Sequence, residues 1–292
     1  MLTISQAEKE MNRRGKEVER FIAEVNPELL DQFHVYQNEA IQGRKFLDSS
    51  LATLENQAEV LEVGSGILAL SVQLASEGFR ITCVEPTGEG FSSINELMKA
   101  FLKQSRVEGI ELDLIERPIE ICDFVKKFDL IFSINVMEHL NDPYIVLSRL
   151  AQYLKPNGTY RFLCPNYDFP YEPHFSKFLI HRKSGAFYLQ QSRAQSVRFS
   201  QKESQELFNS LNFITAKKVQ RAITTHGLNS TLNTGIIHEL VERAFHDPEL
   251  TRRHKRMFFI LKLARLLSLE SLLKWWPRNY QPIMDVSVSR PR

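Results

Sequence analysis

Residues 60–66 read Val60-Leu61-Glu62-Val63-Gly64-Ser65-Gly66, a short apolar run interrupted by one carboxylate and ending on two glycines one residue apart. Bounded in this way, the run reads as a buried strand that feeds a tight turn. Gly64 and Gly66 permit the turn and let backbone N–H groups approach a ligand, while the helix that follows offers its own free N–H groups. The spacing Gly64-x-Gly66-x-x-Ala69 also fits a dinucleotide-binding turn, so the glycines alone leave the ligand open. Glu62 narrows the choice. A carboxylate inside an apolar strand is costly unless a cation or hydrogen bonds compensate it, and a ligand that carries an ammonium group does so.

Outward from this segment, short β-rich runs alternate with amphipathic helical stretches, the pattern of a parallel sheet with crossover helices. Strands are expected at 59–63, 80–84, 110–115, 129–134 and 159–164, with a sixth at 213–219 and a last at 283–288. Asp142 followed by Pro143 marks a helix start, and Lys155-Pro156-Asn157-Gly158 marks its stop. Upstream, the charged stretch from Ser5 to Leu54 reads as two or three helices broken at Pro27. The expected organisation is a helical cap over 1–55, a core over 56–220, a helical insertion over 221–280 and a returning strand over 281–292. Glu85 closes the second strand, where an acidic side chain can accept both hydroxyls of an adenosine ribose.

Four stretches in this order, residues 60–66, Val84-Glu85-Pro86, residues 128–140 and residues 154–158, resemble the class I S-adenosylmethionine-dependent methyltransferases. The resemblance covers roughly residues 55–165. It implies an α/β, Rossmann-like, doubly wound, seven-stranded and mostly parallel sheet with N-terminal helices and a C-terminal helical insertion. It also implies S-adenosylmethionine as cofactor. Glu62, Gly64, Ser65 and Gly66 would hold its methionine end, Glu85 and Pro86 the ribose region, and Asn135 the methionine amino group through its backbone. Glu116 or Arg117, after the third strand, is expected at the adenine. Leu68 stands where the family carries a third glycine.

Methyl transfer is an in-line displacement on a sulfonium methyl group, so positioning the reactants carries much of the acceleration. The expected acceptor is a small molecule such as a sugar, lipid precursor or secondary metabolite, with oxygen as the accepting atom. A hydroxyl acceptor needs a base, and His139 and His174 are the candidates by position. Members of this class that bind a divalent metal here use E-x-x-E-H, but this chain reads Asn135-Val136-Met137-Glu138-His139. The first ligand is absent, and a metal on Glu138 and His139 would need further ligands from elsewhere, His174 among them, so no metal is expected. Two other readings of the chain are a non-catalytic cofactor-binding protein of the same fold and an NAD-dependent oxidoreductase. The intact Glu62, Gly64, Gly66 and Glu85 argue against the first, and Glu62, where a dinucleotide enzyme prefers an apolar residue, against the second.

The aromatic and proline-rich stretch 165–175 reads as a loop that covers a site or packs on the N-terminal helices. Residues 252–276 carry basic residues on one stripe with apolar residues over the remainder, a pattern shared by interfacial helices on anionic membranes and by buried amphipathic helices. The longest apolar stretch, 257–269, is interrupted by Lys262 and Arg265 and is shorter than the ~20 residues of a spanning helix. Net charge is only +2, which gives no bulk attraction to nucleic acid. Cys83, Cys122 and Cys164 are odd in number and far apart, so neither a disulfide framework nor a zinc knuckle is expected. Together with an N-terminus that lacks an apolar signal region, this predicts a cytoplasmic protein.

Overall fold

The computed structural model of the chain describes residues 2–87, 92–175, 177–178, 207–246, 259, 262–263, 265–267 and 276–291. Two compact units divide the chain: residues 1–136 and 149–161 form the first, residues 137–148 and 162–291 the second.

The first unit opens with α1 (Ile4–Val25) and α2 (Leu30–Leu51), separated at Pro27 as expected from the sequence. Thr3 and Gln6 close a reciprocal capping box at the start of α1, which satisfies backbone donors that a helix end leaves open. Then follow β1 (Glu59–Val63), α3 (Ala69–Ser76), β2 (Arg80–Val84), α4 (Ser92–Val107), β3 (Asp113–Ile115) and β4 (Phe128–Ile134). β1 pairs in parallel with both β2 and β4, which places Val60 opposite Ile81 on one side and Leu130 on the other. A strand flanked on both edges and covered on both faces must be apolar, and Val60, Leu61 and Val63 are buried accordingly.

The N-terminal helices are fastened to this core by buried ions as well as by apolar packing. The Arg44 guanidinium on α2, 1% exposed, donates to both oxygens of Glu77 at 2.8 Å and to Asp48 at 2.9 Å. Its remaining contact is the Leu2 carbonyl at 3.1 Å. A buried guanidinium persists only where its donors find acceptors in this way. Arg14 on α1 is likewise buried and donates to Gln73 and Glu108.

A long strand, β5 (Leu154–Pro165), begins in the first unit and ends in the second. The sheet order is β3-β2-β1-β4-β5-β9-β8, seven strands and mostly parallel. α5 (Pro143–Gln152) starts in the second unit and ends in the first, and the second unit carries the short antiparallel pair β6 (Tyr171–Glu172) and β7 (Lys177–Phe178), then α6 (Ala216–Thr225), β8 (Asn229–Leu232), α7 (Ile236–His246) and β9 (Ile283–Ser289). β9 runs antiparallel to β8. Asp142 Oδ1 accepts from the N–H groups of Tyr144 and Ile145, both at 3.0 Å, so α5 starts where the sequence placed it. Asn166, 1% exposed, ties this unit together: its amide donates to the carbonyls of Asn279 and Gln281 and its oxygen accepts from Ala216 N–H.

Three sequence expectations are corrected. Residues 213–219 are not a strand, because Phe213 takes φ +54° and the Thr215 side chain accepts from Lys218 N–H, opening α6 instead. β3 is shorter than 110–115, since Ile110 N–H is held by the Ser105 carbonyl at the end of α4 and Gly109 takes φ +68°. β5 starts at Leu154 and includes Lys155 to Gly158, with Asn157 at φ +66°. The stretch 252–276 lies outside the described residues except at 259, 262–263, 265–267 and 276. Among the described residues no helix is long and apolar enough to cross a membrane.

Candidate functional site

Val63, Val84 and Ile115 stand in register on β1, β2 and β3, and Val63 also pairs with Ser133 on β4. Gly64, Glu85, Glu116 and Asn135 therefore all leave the sheet at its carboxyl edge. β2 and β4 lie on opposite sides of β1, so the order of the strands reverses there, and such a switch point opens a crevice for a ligand.

The turn after β1 is built for close approach. Gly64 takes φ +75°, and a Cβ at this position would sit 2.2 Å from Val136 Cγ2. Gly66 takes φ +52° with nothing within 4 Å of its missing Cβ, so space in front of it is open. Leu68, where the family has glycine, is buried and keeps the left-handed backbone at φ +68°, a conformation that costs an L-residue about 1–2 kcal/mol. Gly64→Ala is expected to destabilise the protein by about 1–2 kcal/mol from backbone strain alone. Adding Val136→Ala should recover only the part due to the methyl contact, measurable by denaturant unfolding of both variants.

Around this turn stand two buried carboxylates. Glu85 is 6% exposed, and its Oε2 accepts from Gly66 N–H at 2.8 Å. Burial pushes its carboxyl up to about 7, against the pull of that N–H. Glu62 is 5% exposed and accepts from the Ser71 hydroxyl on α3. Burial pushes it up to about 8; the Ser71 hydroxyl opposes this and the nearby Glu85 charge adds to it. Two carboxylates raised together in this way are relieved by a cation, and hydroxyl donors relieve Glu85 further. The Ser65 hydroxyl is buried with no hydrogen-bond partner among the described residues. These features fit a ligand with an ammonium group and a ribose.

Pro86 is half-buried, whereas Glu116, Arg117 and Asn135 are exposed. Glu116 and Arg117 come near Glu85 through backbone, since Glu85 N–H donates to the Ile115 carbonyl at 3.2 Å. Asn135 takes φ +56°, which Asn tolerates better than most residues.

The second unit holds the two histidines. Met137–His139 form a short 3-10 turn, and His139 and His174 face each other with ring centroids 5.3 Å apart. Both Nε2 atoms turn toward Glu138 Oε1, at 3.9 Å from His139 and 4.0 Å from His174. Glu138 is fully buried. The Nδ1 atoms turn outward, that of His139 to Ser210 Oγ at 3.0 Å and that of His174 to Glu172 Oε1 at 2.5 Å. Burial, and then the neighbouring His174, hold the His139 imidazole down to about 3, so it is neutral at physiological pH.

Several members of these sites were not foreseen from sequence. Ser71 stands in the first turn of α3 and meets Glu62 only once that helix packs on β1. Asn212 clamps the 3-10 turn, donating to the carbonyls of Met137 and Leu140 while its own N–H meets the Glu138 carbonyl. Glu172 accepts from Tyr167 and from Phe175 N–H as well as from His174. The loop aromatics Tyr167 and Phe175 pack on Phe208, Leu211 and Phe213, partners that no spacing rule connects to them.

Residues 61–160 match a family model described as a methyltransferase domain. An uncharacterized protein of Mycobacterium tuberculosis is 36% identical over 291 residues, covering 96% of this chain and 97% of its own length. A ubiquinone biosynthesis O-methyltransferase of Rickettsia conorii is 27% identical over 103 residues, 35% of this chain and 33% of that protein. The structure of Haemonchus contortus phosphoethanolamine N-methyltransferase 2 superimposes with a TM-score of 0.51 at 14% identity, covering 87% of this chain and 53% of that one. At that identity the likeness shows the fold.

Proposed function

The chain belongs to the class I, Rossmann-like methyltransferase family, and we propose that it moves a methyl group from S-adenosylmethionine to an oxygen atom of a small molecule. The observation that carries this reading is the pair of buried carboxylates, Glu62 and Glu85, set around the Gly64–Gly66 turn. A turn that serves only a dinucleotide phosphate has no physical need of a buried acid two residues before its first glycine. When bound, S-adenosylmethionine supplies the sulfonium methyl group.

In this reading Glu62 balances the ammonium of the methionine end, through the ionised form that the cation restores. Glu85 accepts from the ribose hydroxyls, and the N–H of Gly66 keeps its carboxylate aimed. Ser65 offers its unpaired hydroxyl to the methionine carboxylate. The Asn135 backbone contacts the ammonium, and Glu116 or Arg117 the adenine. His139 and His174 activate the acceptor hydroxyl, directly or through an ion held on Nε2, since Nδ1 of each ring is engaged by Ser210 or Glu172.

A labelled-methyl screen of the full chain against a metabolite extract tests the assignment. The expected result is label in a small-molecule product whose new methyl group sits on oxygen. Tight binding of NAD with no response to S-adenosylmethionine or S-adenosylhomocysteine would sink it.

A further inference from the structure

We infer that Glu138, His139 and His174 form a binding site for one divalent transition-metal ion. One ligand atom from each of the three lies within 4.8 Å of the other two. Glu138 Oε1 is 3.9 Å from His139 Nε2 and 4.0 Å from His174 Nε2, too long for a direct hydrogen bond. A point equidistant from three atoms so spaced is roughly 2.5 Å from each, and small side-chain rotations bring that to the 2.0–2.2 Å of metal–imidazole and metal–carboxylate bonds.

Hydrogen bonding fixes which atoms face inward. Ser210 Oγ gives its hydrogen to the Leu207 carbonyl at 2.7 Å, so toward His139 it accepts, and Nδ1 of His139 carries the proton. Glu172 Oε1 accepts from Nδ1 of His174. Each ring therefore presents the lone pair of Nε2 toward a buried carboxylate oxygen. Outer partners that accept from the far nitrogen of each imidazole are the usual support of a metal-binding histidine: they fix the tautomer and raise the basicity of the ligating nitrogen. The turn itself is held by Asn212, which donates to the carbonyls of Met137 and Leu140 on either side of Glu138 and His139.

Two imidazoles and one carboxylate favour a borderline ion such as Zn2+, Fe2+ or Co2+ over Mg2+ or Ca2+. Three protein ligands leave coordination positions for water or for acceptor oxygens, the arrangement of a reactive site rather than a structural one. That the ion polarises the methyl acceptor rests on the methyltransferase reading; the binding itself does not. The sequence pattern pointed away from a metal because Asn135 stands at the first position of E-x-x-E-H. His174, from the loop after β5, supplies the third ligand instead.

The test is calorimetric titration of Zn2+ into the chelator-stripped full chain. One equivalent is expected to bind, with affinity reduced at least a hundredfold in His174→Ala and in His139→Ala, and about 10–100-fold in Glu172→Gln. Circular dichroism of each variant checks that it folds. Independently of any variant, the Co2+-loaded wild-type chain should show two exchangeable, hyperfine-shifted imidazole N–H resonances by NMR. No saturable Zn2+ uptake, uptake that both alanine variants retain while folded, or a Co2+ complex without those two resonances overturns the site. Zn2+ binding as expected with no methyl transfer in the labelled screen keeps the metal site and discards the methyltransferase reading.

Discussion

Glu85→Ala is expected to weaken S-adenosylmethionine binding by about 10²–10³-fold, read by calorimetry. A hydrogen bond to a charged group contributes about 1.5–3 kcal/mol, and in the proposed function the Glu85 carboxylate accepts two from the ribose. Allowing for water that takes its place, the loss is about 3–4 kcal/mol, which is that range of affinity. Glu85→Gln keeps one acceptor oxygen and should lose only about tenfold. The substitution is expected to leave the chain folded, because in the ligand-free protein this carboxyl is costly to keep buried: burial pushes it up to about 7, against the pull of the Gly66 N–H. Wild-type affinity in Glu85→Ala would remove the residue from the ribose subsite. Equal loss of S-adenosylmethionine and S-adenosylhomocysteine is also expected, since the two share the ribose.

The half of the site that Glu85 belongs to was legible in the sequence for a geometric reason. Parallel strands in register end at one edge, so residues that follow successive strands, here Gly64, Glu85, Glu116 and Asn135, are neighbours whenever the strands are placed correctly. Strand placement in turn follows from apolar runs and glycines, which are local signals. Leu68 shows the limit of the local signal: the missing glycine reads as a weakness of the motif, yet the backbone takes φ +68° there regardless.

The histidine cluster was not legible in the same way. His139 and His174 stood out as residue types, but their partners Glu172, Ser210 and Asn212 are ordinary polar residues in irregular chain. Their meeting depends on tertiary packing, including that of Tyr167 and Phe175 on Phe208 and Phe213, for which neither periodicity nor capping rules exist. The error at 213–219 has the same origin. The run that opens Phe213-Ile214-Thr215 suggests a strand, but one capping hydroxyl at Thr215 and a left-handed Phe213 redirect it into α6.

Through Glu62, cofactor affinity is expected to rise about 25-fold between pH 6 and pH 8 and to fall above that, with the ionisation of Glu85 steepening the rise. The sign follows from Glu62, whose carboxyl burial pushes up to about 8 in the ligand-free chain. Between the ordinary carboxylate range and about 8, the folded chain holds a proton there that the unfolded chain has released. The stability of the ligand-free protein therefore falls as pH rises through this window, and Glu85, raised to about 7, adds to the same slope. An ammonium beside Glu62 reverses the preference, because it pairs with the ionised form, so binding expels the proton. One expelled proton is worth about fiftyfold in affinity between pH 6 and pH 8 when the free carboxyl titrates at about 8. The ligand's own α-amino group, titrating near 7.7–8.0, halves the competent ligand by pH 8 and sets the decline beyond it. Calorimetry in two buffers of different ionisation enthalpy at pH 6.5 should count about one proton released from Glu62 and a further fraction from Glu85. Glu62→Gln should remove the Glu62 share of that release and make the acidic limb shallower, while the alkaline limb, which belongs to the ligand, stays. An acidic limb unchanged in Glu62→Gln would mean that the ammonium does not sit beside Glu62, and the carboxylate inside β1 would then be compensated by Ser71 alone.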